Sequence, residues 1–282
     1  PTAWCSLDAV QTALCKLKPS SDTSGLDSRL LQLGAPVLSP YLMALFNALA
    51  SSRIPDVFCG SIVTPILKKG KPATAPKSYR PVSRSSTLGK VLEGCILSRF
   101  PAAFHTSSLQ FGFKPRSSTS SCTNLYKEIV RHFTGLGSSI YAAFLDGSAA
   151  FDRVLHGRLL QCLSDRGLPP EVVSIIGRLY QASSSTVQFG GHSSRTYRLR
   201  CGVRQGSVAS PAYFNCYVDD LPEFLQAKRL GLLYGGRYVG TILYADDICL
   251  LAGSPEELKV MIQETRDFLL ARGLVINADK TQ

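Results

Sequence analysis

The stretch that most constrains this chain is Thr241-Ile242-Leu243-Tyr244-Ala245-Asp246-Asp247-Ile248-Cys249-Leu250-Leu251, an apolar run interrupted by two adjacent carboxylates. β-branched and aromatic residues on both sides, bounded by Gly240 and Gly253, predict a short β-hairpin with Asp246 and Asp247 at its tip. Charges set so tightly among apolar residues are costly unless they are paired or bound to a metal. A plain turn also accounts for them, because Asp favours turns. A third carboxylate carried to the tip by another strand would separate the two readings. Residues 139–146, Ser-Ile-Tyr-Ala-Ala-Phe-Leu-Asp, supply a candidate: the pattern is that of a buried central strand ending in Asp146. A helix cap or turn is the alternative for Asp146.

A formal charge of +11 points to a polyanionic partner, most simply nucleic acid, more than to an ordinary solvated surface. Hydrophobic residues make up 45% of the 282, enough for a core, which excludes global disorder. The nine cysteines are scattered singly without a C-x-x-C pair, so neither zinc-ligand spacing nor a dense disulfide framework is present. Reduced thiols in an intracellular protein follow from that usage, and a nuclear and cytoplasmic location is expected. No signal peptide opens the chain and no apolar run would span a bilayer. A start at Pro1 and a stop at Gln282, straight after a structured-looking segment, read as a piece of a longer polypeptide.

Along the chain, the spacing predicts a helix within 4–17, a loop over Lys18–Gly25, and a helix over 39–51 with Ser39 as cap and Pro40 in its first turn. A strand is expected at 61–67. The basic, proline-punctuated stretch Lys68-Lys69-Gly70-Lys71-Pro72 to Lys77-Ser78-Tyr79-Arg80-Pro81-Val82 reads as a solvated loop or as a phosphate clamp, for which a fork-shaped Arg donor is suited. Helices are expected at 86–100, 119–133, 155–166 and 170–181. Strands follow at 184–189 and 195–200, then a helix of about fifteen residues after Pro211, a helix at 255–271 and a final short strand over Gly273–Lys280. Gln110-Phe111-Gly112-Phe113-Lys114-Pro115-Arg116 combines aromatics and cations that can track a nucleic-acid backbone, although an ordinary turn explains it almost as well.

Taken in order, these pieces resemble reverse transcriptases, nearest to those of non-LTR (LINE-type) retrotransposons, with group II intron enzymes more distant. The resemblance runs from about Gly25 to the C-terminus. It rests on Pro65-Ile66-Leu67-Lys68-Lys69-Gly70-Lys71, Ser78-Tyr79-Arg80-Pro81-Val82-Ser83, Gln110-Phe111-Gly112-Phe113, Phe144-Leu145-Asp146 with Ala150-Phe151-Asp152, Gly202-Val203-Arg204-Gln205-Gly206-Ser207, Tyr244-Ala245-Asp246-Asp247, and Gly273-Leu274-Val275-Ile276-Asn277 with Lys280-Thr281. The chain departs from the family pattern at Ser207-Val208-Ala209, where bulkier residues are usual, and at Gly147 and Ala149; none of these removes a catalytic group.

The resemblance implies an α+β right-hand polymerase fold of fingers and palm, an antiparallel palm sheet flanked by helices, and a thumb that would follow the last strand and is absent. It places an N-terminal extension at 1–24, fingers at about 25–138 and 157–203, and palm at about 139–156 and 204–282. It implies RNA-directed DNA polymerisation with two Mg²⁺ ions, Mn²⁺ as a substitute, held by Asp146, Asp246 and Asp247. By the same resemblance Lys68, Arg80, Gln205 and Gly206 hold the nucleotide, and Phe151 crowds a ribose 2′-hydroxyl or else simply packs in the core. Lys280 protonates the leaving pyrophosphate. Phe111, Gly112, Phe113, Lys114, Arg116 and Tyr244 line template and primer. The implied partners are an RNA template, a DNA primer, dNTPs and the remainder of a polyprotein, including the thumb and an endonuclease, with no membrane. Three rivals stay open here: a decayed copy that only binds RNA, an RNA-templated RNA polymerase, and a scaffold without a nucleic-acid role.

Overall fold

The computed structural model describes residues 3–22 and 24–282. Pro1, Thr2 and Thr23, the last within the expected Lys18–Gly25 loop, lie outside the described residues. The architecture is α+β, and the chain forms two compact units. One comprises the residues up to Phe104 together with Leu163–Arg200 and Arg204–Ser210; the other comprises His105–Cys162, Cys201–Val203 and Pro211–Gln282.

In the first unit, Ser6 caps the helix Leu7–Cys15 by accepting from the Ala9 N–H at 3.3 Å. Val10 and Leu14, one turn apart, bury that helix against Thr87–Arg99, where Gly94 admits the close approach of Ala13. The next long helix corrects an expectation. It runs Ala35–Ala48 rather than from Ser39, because Pro36 takes the entry turn and Pro40 falls inside. Ser39 is buried mid-helix, its hydroxyl donating to the Ala35 carbonyl at 2.6 Å.

The sheet of this unit is built on Gly60–Leu67, antiparallel to Tyr79–Ser85 and parallel to Ser184–Phe189. The second half of the basic stretch is therefore a strand, not a loop. Pro65 and Pro81 stand opposite one another, so two missing donors fall on one rung, and it is this doubled proline that disguised the strand. The strand expected at 195–200 shrinks to Tyr197–Arg198, and a second short pairing of Ser184–Phe189 forms with His192–Ser193.

The second unit holds a three-stranded antiparallel sheet in which Asp247–Ala252 lies between Tyr141–Asp146 and Thr241–Tyr244. One face is covered by the helix Thr119–Gly135, whose Ile129, Leu125 and Tyr126 pack with Ile242, Cys249 and Leu251. Ala143, Leu145, Ile248 and Leu250 are also buried, and the helix Pro255–Leu270 packs against the two longer strands. The helix expected after Pro211 is two helices, Ser210–Val218 and Leu221–Ala227. Pro222 has no N–H to offer the Val218 carbonyl, so the first helix ends there. The last segment is not a strand. Gly273 turns at φ +74°, Ile276 makes a single bridge to Gly147, and Ala278–Lys280 closes as a 3₁₀ turn. Among the described residues no helix is long and apolar enough to cross a membrane.

Candidate active site

The carboxylates are placed by strand register. Asp146 ends its strand directly opposite Asp247, the first residue of the neighbouring strand. Side chains of directly opposed residues project from the same face. Tyr244 pairs with Asp247, so the hairpin turn is Ala245-Asp246 and only Asp246 sits at the tip. Ala245 takes a left-handed φ of +57° there.

That turn is held from below by a residue that the sequence pattern left unassigned. The buried Gln110 side chain accepts from the Gly112 N–H at 2.9 Å and from the Ala245 N–H at 3.0 Å. Gly112 lies so close that a Cβ there would meet the Ala245 nitrogen at 2.4 Å. Asn215 completes the clasp, donating to the Gly112 carbonyl at 2.6 Å. Gln110 had one signal in the sequence: a polar residue heading an aromatic-glycine run that leads into buried structure.

The three acids sense one another's charge. Burial pushes the Asp246 carboxyl above its ordinary value, and the charges of Asp247 and Asp146 push the same way. Asp247 is raised by burial and then by Asp146, with Lys280 opposing both shifts. Lys280 donates to both Asp146 oxygens, at 3.1 and 3.0 Å. Asn277 adds a side-chain bond to Asp146 at 3.3 Å, and its N–H binds the Asp146 carbonyl at 2.8 Å. A cavity of about 420 Å³ opens beside these groups, lined among others by Asp146, Asp247, Tyr244, Lys280 and Phe144.

Among the described residues no three His, Cys, Asp or Glu groups stand arranged as a finished metal cage. The donor chemistry nevertheless fits hard divalent cations: the ligating atoms on offer are carboxylate oxygens that disfavour one another's charge, and a cation relieves that repulsion.

Phe151 sits on the short helix Ala150–Arg153, its ring stacked on Phe214 at 4.3 Å and edge-on to Phe113 at 5.9 Å. Phe111 is half-buried, while Phe113 and Arg116 are exposed, at φ +56° and +60°. The Lys114 ammonium is bonded to the Thr106 and Ser107 carbonyls, and burial holds its pKa below the usual lysine range. The remaining expected residues belong to the other unit. Lys68 bonds the Lys77 carbonyl at 2.9 Å across the turn between two strands, and Arg80 is exposed on the second of them. Gln205 is half-buried, and Gly206 turns at φ +78° with no room for a Cβ, which would lie 2.3 Å from the Ser83 carbonyl oxygen.

Comparison with known proteins identifies the family. The chain belongs to the family described as reverse transcriptase (RNA-dependent DNA polymerase), whose model matches residues 66–282. It is 30% identical to a retrovirus-related Pol polyprotein from type-2 retrotransposable element R2DM of Drosophila melanogaster, over 77% of this chain and 20% of that protein. It is also 30% identical to an RNA-directed DNA polymerase from mobile element jockey of Drosophila funebris, over 98% of this chain and 31% of the relative. A type-1 retrotransposable element R2 polyprotein of Nasonia vitripennis is 28% identical over 75% of the chain and 20% of its own length. These relatives are polymerases of non-LTR retrotransposons, as the sequence motifs lead one to expect. The chain spans between a fifth and a third of their length.

Proposed function

We propose that this chain carries out RNA-directed DNA synthesis: the 3′-hydroxyl of a DNA primer attacks the α-phosphate of a dNTP paired to an RNA template, a new P–O bond forms, and pyrophosphate leaves. The observation that carries this reading is the direct opposition of Asp146 and Asp247 beside the Asp246 turn, in a chain of this family. Asp146 and Asp246 would be the main ligands of two divalent ions, with Asp247 in support. Such ions, when bound, lower the pKa of the attacking hydroxyl and stabilise charge on the leaving oxygens.

The protein's own groups do the rest. The unit with the triad acts as palm and the unit with the Gly60–Leu67 strand as fingers. Lys68 and Arg80 neutralise the triphosphate, Arg80 through a planar fork suited to phosphate oxygens. Gln205 and Gly206 flank the nucleotide, where a glycine lets backbone approach a base or sugar closely. Phe151, fixed by its stack on Phe214, excludes a 2′-hydroxyl sterically. Lys280 neutralises Asp146 and delivers a proton towards pyrophosphate. Phe111, Gly112, Phe113, Arg116 and Tyr244 line the path of template and primer, while Lys114, bonded to carbonyls, shapes that path rather than gripping phosphate. The remainder of the polyprotein adds the thumb and an endonuclease.

Extension of a DNA primer on poly-rA with dTTP and Mg²⁺ tests the proposal. Incorporation that stops when Mg²⁺ is chelated supports it. Primer–template binding without incorporation would instead leave a binding module.

A further inference from the structure

A second acidic residue outside the triad sits where a charge is expensive. Glu93 lies within the Thr87–Arg99 helix on the stripe of Gly89, Leu92 and Ile96, and its side chain is 3% exposed. Three donors converge on its carboxylate. They are Arg204 Nη1 at 3.1 Å, the Ser207 hydroxyl at 2.7 Å and the Val208 N–H at 3.0 Å. Arg204, 4% exposed, spends its other nitrogen on the Phe58 carbonyl at 2.8 Å, and its own carbonyl accepts from the Ser210 hydroxyl at 2.7 Å.

These donors flank Gln205 and Gly206 on both sides in sequence. Gly206 is fixed from another direction as well: the Ser85 hydroxyl bonds its carbonyl at 2.9 Å, and it is pressed against Ser83 on the strand that carries Arg80. A buried ion pair is poor evidence of stability, since well-packed apolar residues often replace one at no loss. What it provides here is direction, because three donors gathered on one buried carboxylate tie the loop to the helix.

We propose that Glu93 is a positioning residue for nucleotide binding, acting through Arg204, Ser207 and Val208 to set where Gln205 and Gly206 stand relative to Arg80. This rests on the polymerase reading above for the identity of the ligand. Glu93 itself touches neither nucleotide nor metal.

The test measures dTTP affinity without requiring turnover, on the protein bound to a poly-rA template and a dideoxy-terminated primer, in the wild type, Glu93→Gln, and the double variant Glu93→Met with Arg204→Met. The double variant removes the buried charges together and so preserves folding. Wild-type melting with dTTP affinity weakened about tenfold or more, and primer–template affinity unchanged, is the expected result for the double variant, since one misplaced contact is worth roughly that factor. In Glu93→Gln, hydrogen exchange over 204–210 should quicken while exchange over the Asp246 hairpin stays the same. A folded double variant that binds dTTP like the wild type overturns the proposal, as does Glu93→Gln with lowered melting and unaltered affinity. A wild type that binds dTTP but never extends the unblocked primer sinks the polymerase reading instead, and the affinity ratio still decides this one.

Discussion

Asp146 and Asp247 oppose each other across a single rung of the sheet, and Lys280 holds both oxygens of Asp146. Two acids this close would repel in isolation. The lysine offsets one charge, and the other two carboxylates remain raised by burial, Asp246 also by Asp247 and Asp146, and Asp247 also by Asp146. Where such groups gather on a strand end beside a cavity, a cation or a proton must complete the balance.

Asp246→Asn keeps the shape of the turn and removes one ligand. Primer extension should fall by about a thousandfold or more, roughly 4 kcal/mol in the transition state. Primer–template affinity should stay within about twofold, because the counterion release that drives it comes from Lys and Arg elsewhere. Equal loss of binding and extension would show that the change unfolds the hairpin.

Phe151→Val shortens the ring that Phe214 holds in place. If the ring excludes a 2′-hydroxyl, single-nucleotide extension with NTP should rise at least about tenfold, near 1.4 kcal/mol of relieved clash, with a smaller change for dNTP. Parallel losses on both substrates would make the stack a packing element and nothing more.

Gln110→Ala removes the acceptor shared by Gly112 and Ala245. Each abandoned buried N–H costs on the order of 1–3 kcal/mol. Melting should drop accordingly, and kcat should fall further than template affinity because the turn that carries Asp246 loses its support. A variant with wild-type kcat would show that the turn holds its shape unaided.

Asp22 gives a pH test remote from the chemistry. Burial alone would push its carboxyl up, but donors from Ser24, Leu26 and Thr87 outweigh it and hold the pKa below the usual carboxylate range. A depressed folded pKa stabilises above the unfolded value of about 3.9, and that contribution fades as pH falls through the folded pKa. Asp22→Asn should therefore be less stable at pH 7, by on the order of 1 kcal/mol, and the gap should close in acid. Denaturant melts of both proteins across pH 2–7 measure it; a gap independent of pH would assign the loss to shape rather than charge.

The acids were legible because charge in an apolar run is improbable without a purpose, but the Asp146 strand, read from its apolar run as central and buried, lies at the edge of the sheet with Tyr141 and Phe144 exposed. Other features were not. Pro36 and Pro40 both qualify as helix openers, and only packing of the buried Ser39 and Leu42 selects the first. Gly273–Lys280 has strand composition, but Asn277 binds the Asp146 backbone and bends the chain into a turn, a long-range contact that no local pattern encodes. Gln110 and Glu93 escaped for one shared reason: a buried polar side chain is defined by partners distant in sequence.

The sheet order also sets a timetable for synthesis. The strand that joins the Asp146 strand to Thr241–Tyr244 is made last of the three, roughly a hundred residues after Asp146. At about 5–20 residues per second, the Asp146 strand waits some 5–20 s for its partner. During that interval its edge, with Phe144 half-exposed in the finished structure, is open to chaperones and to strands of neighbouring nascent chains. Any translation product that stops before Asp247 keeps that edge unpaired permanently.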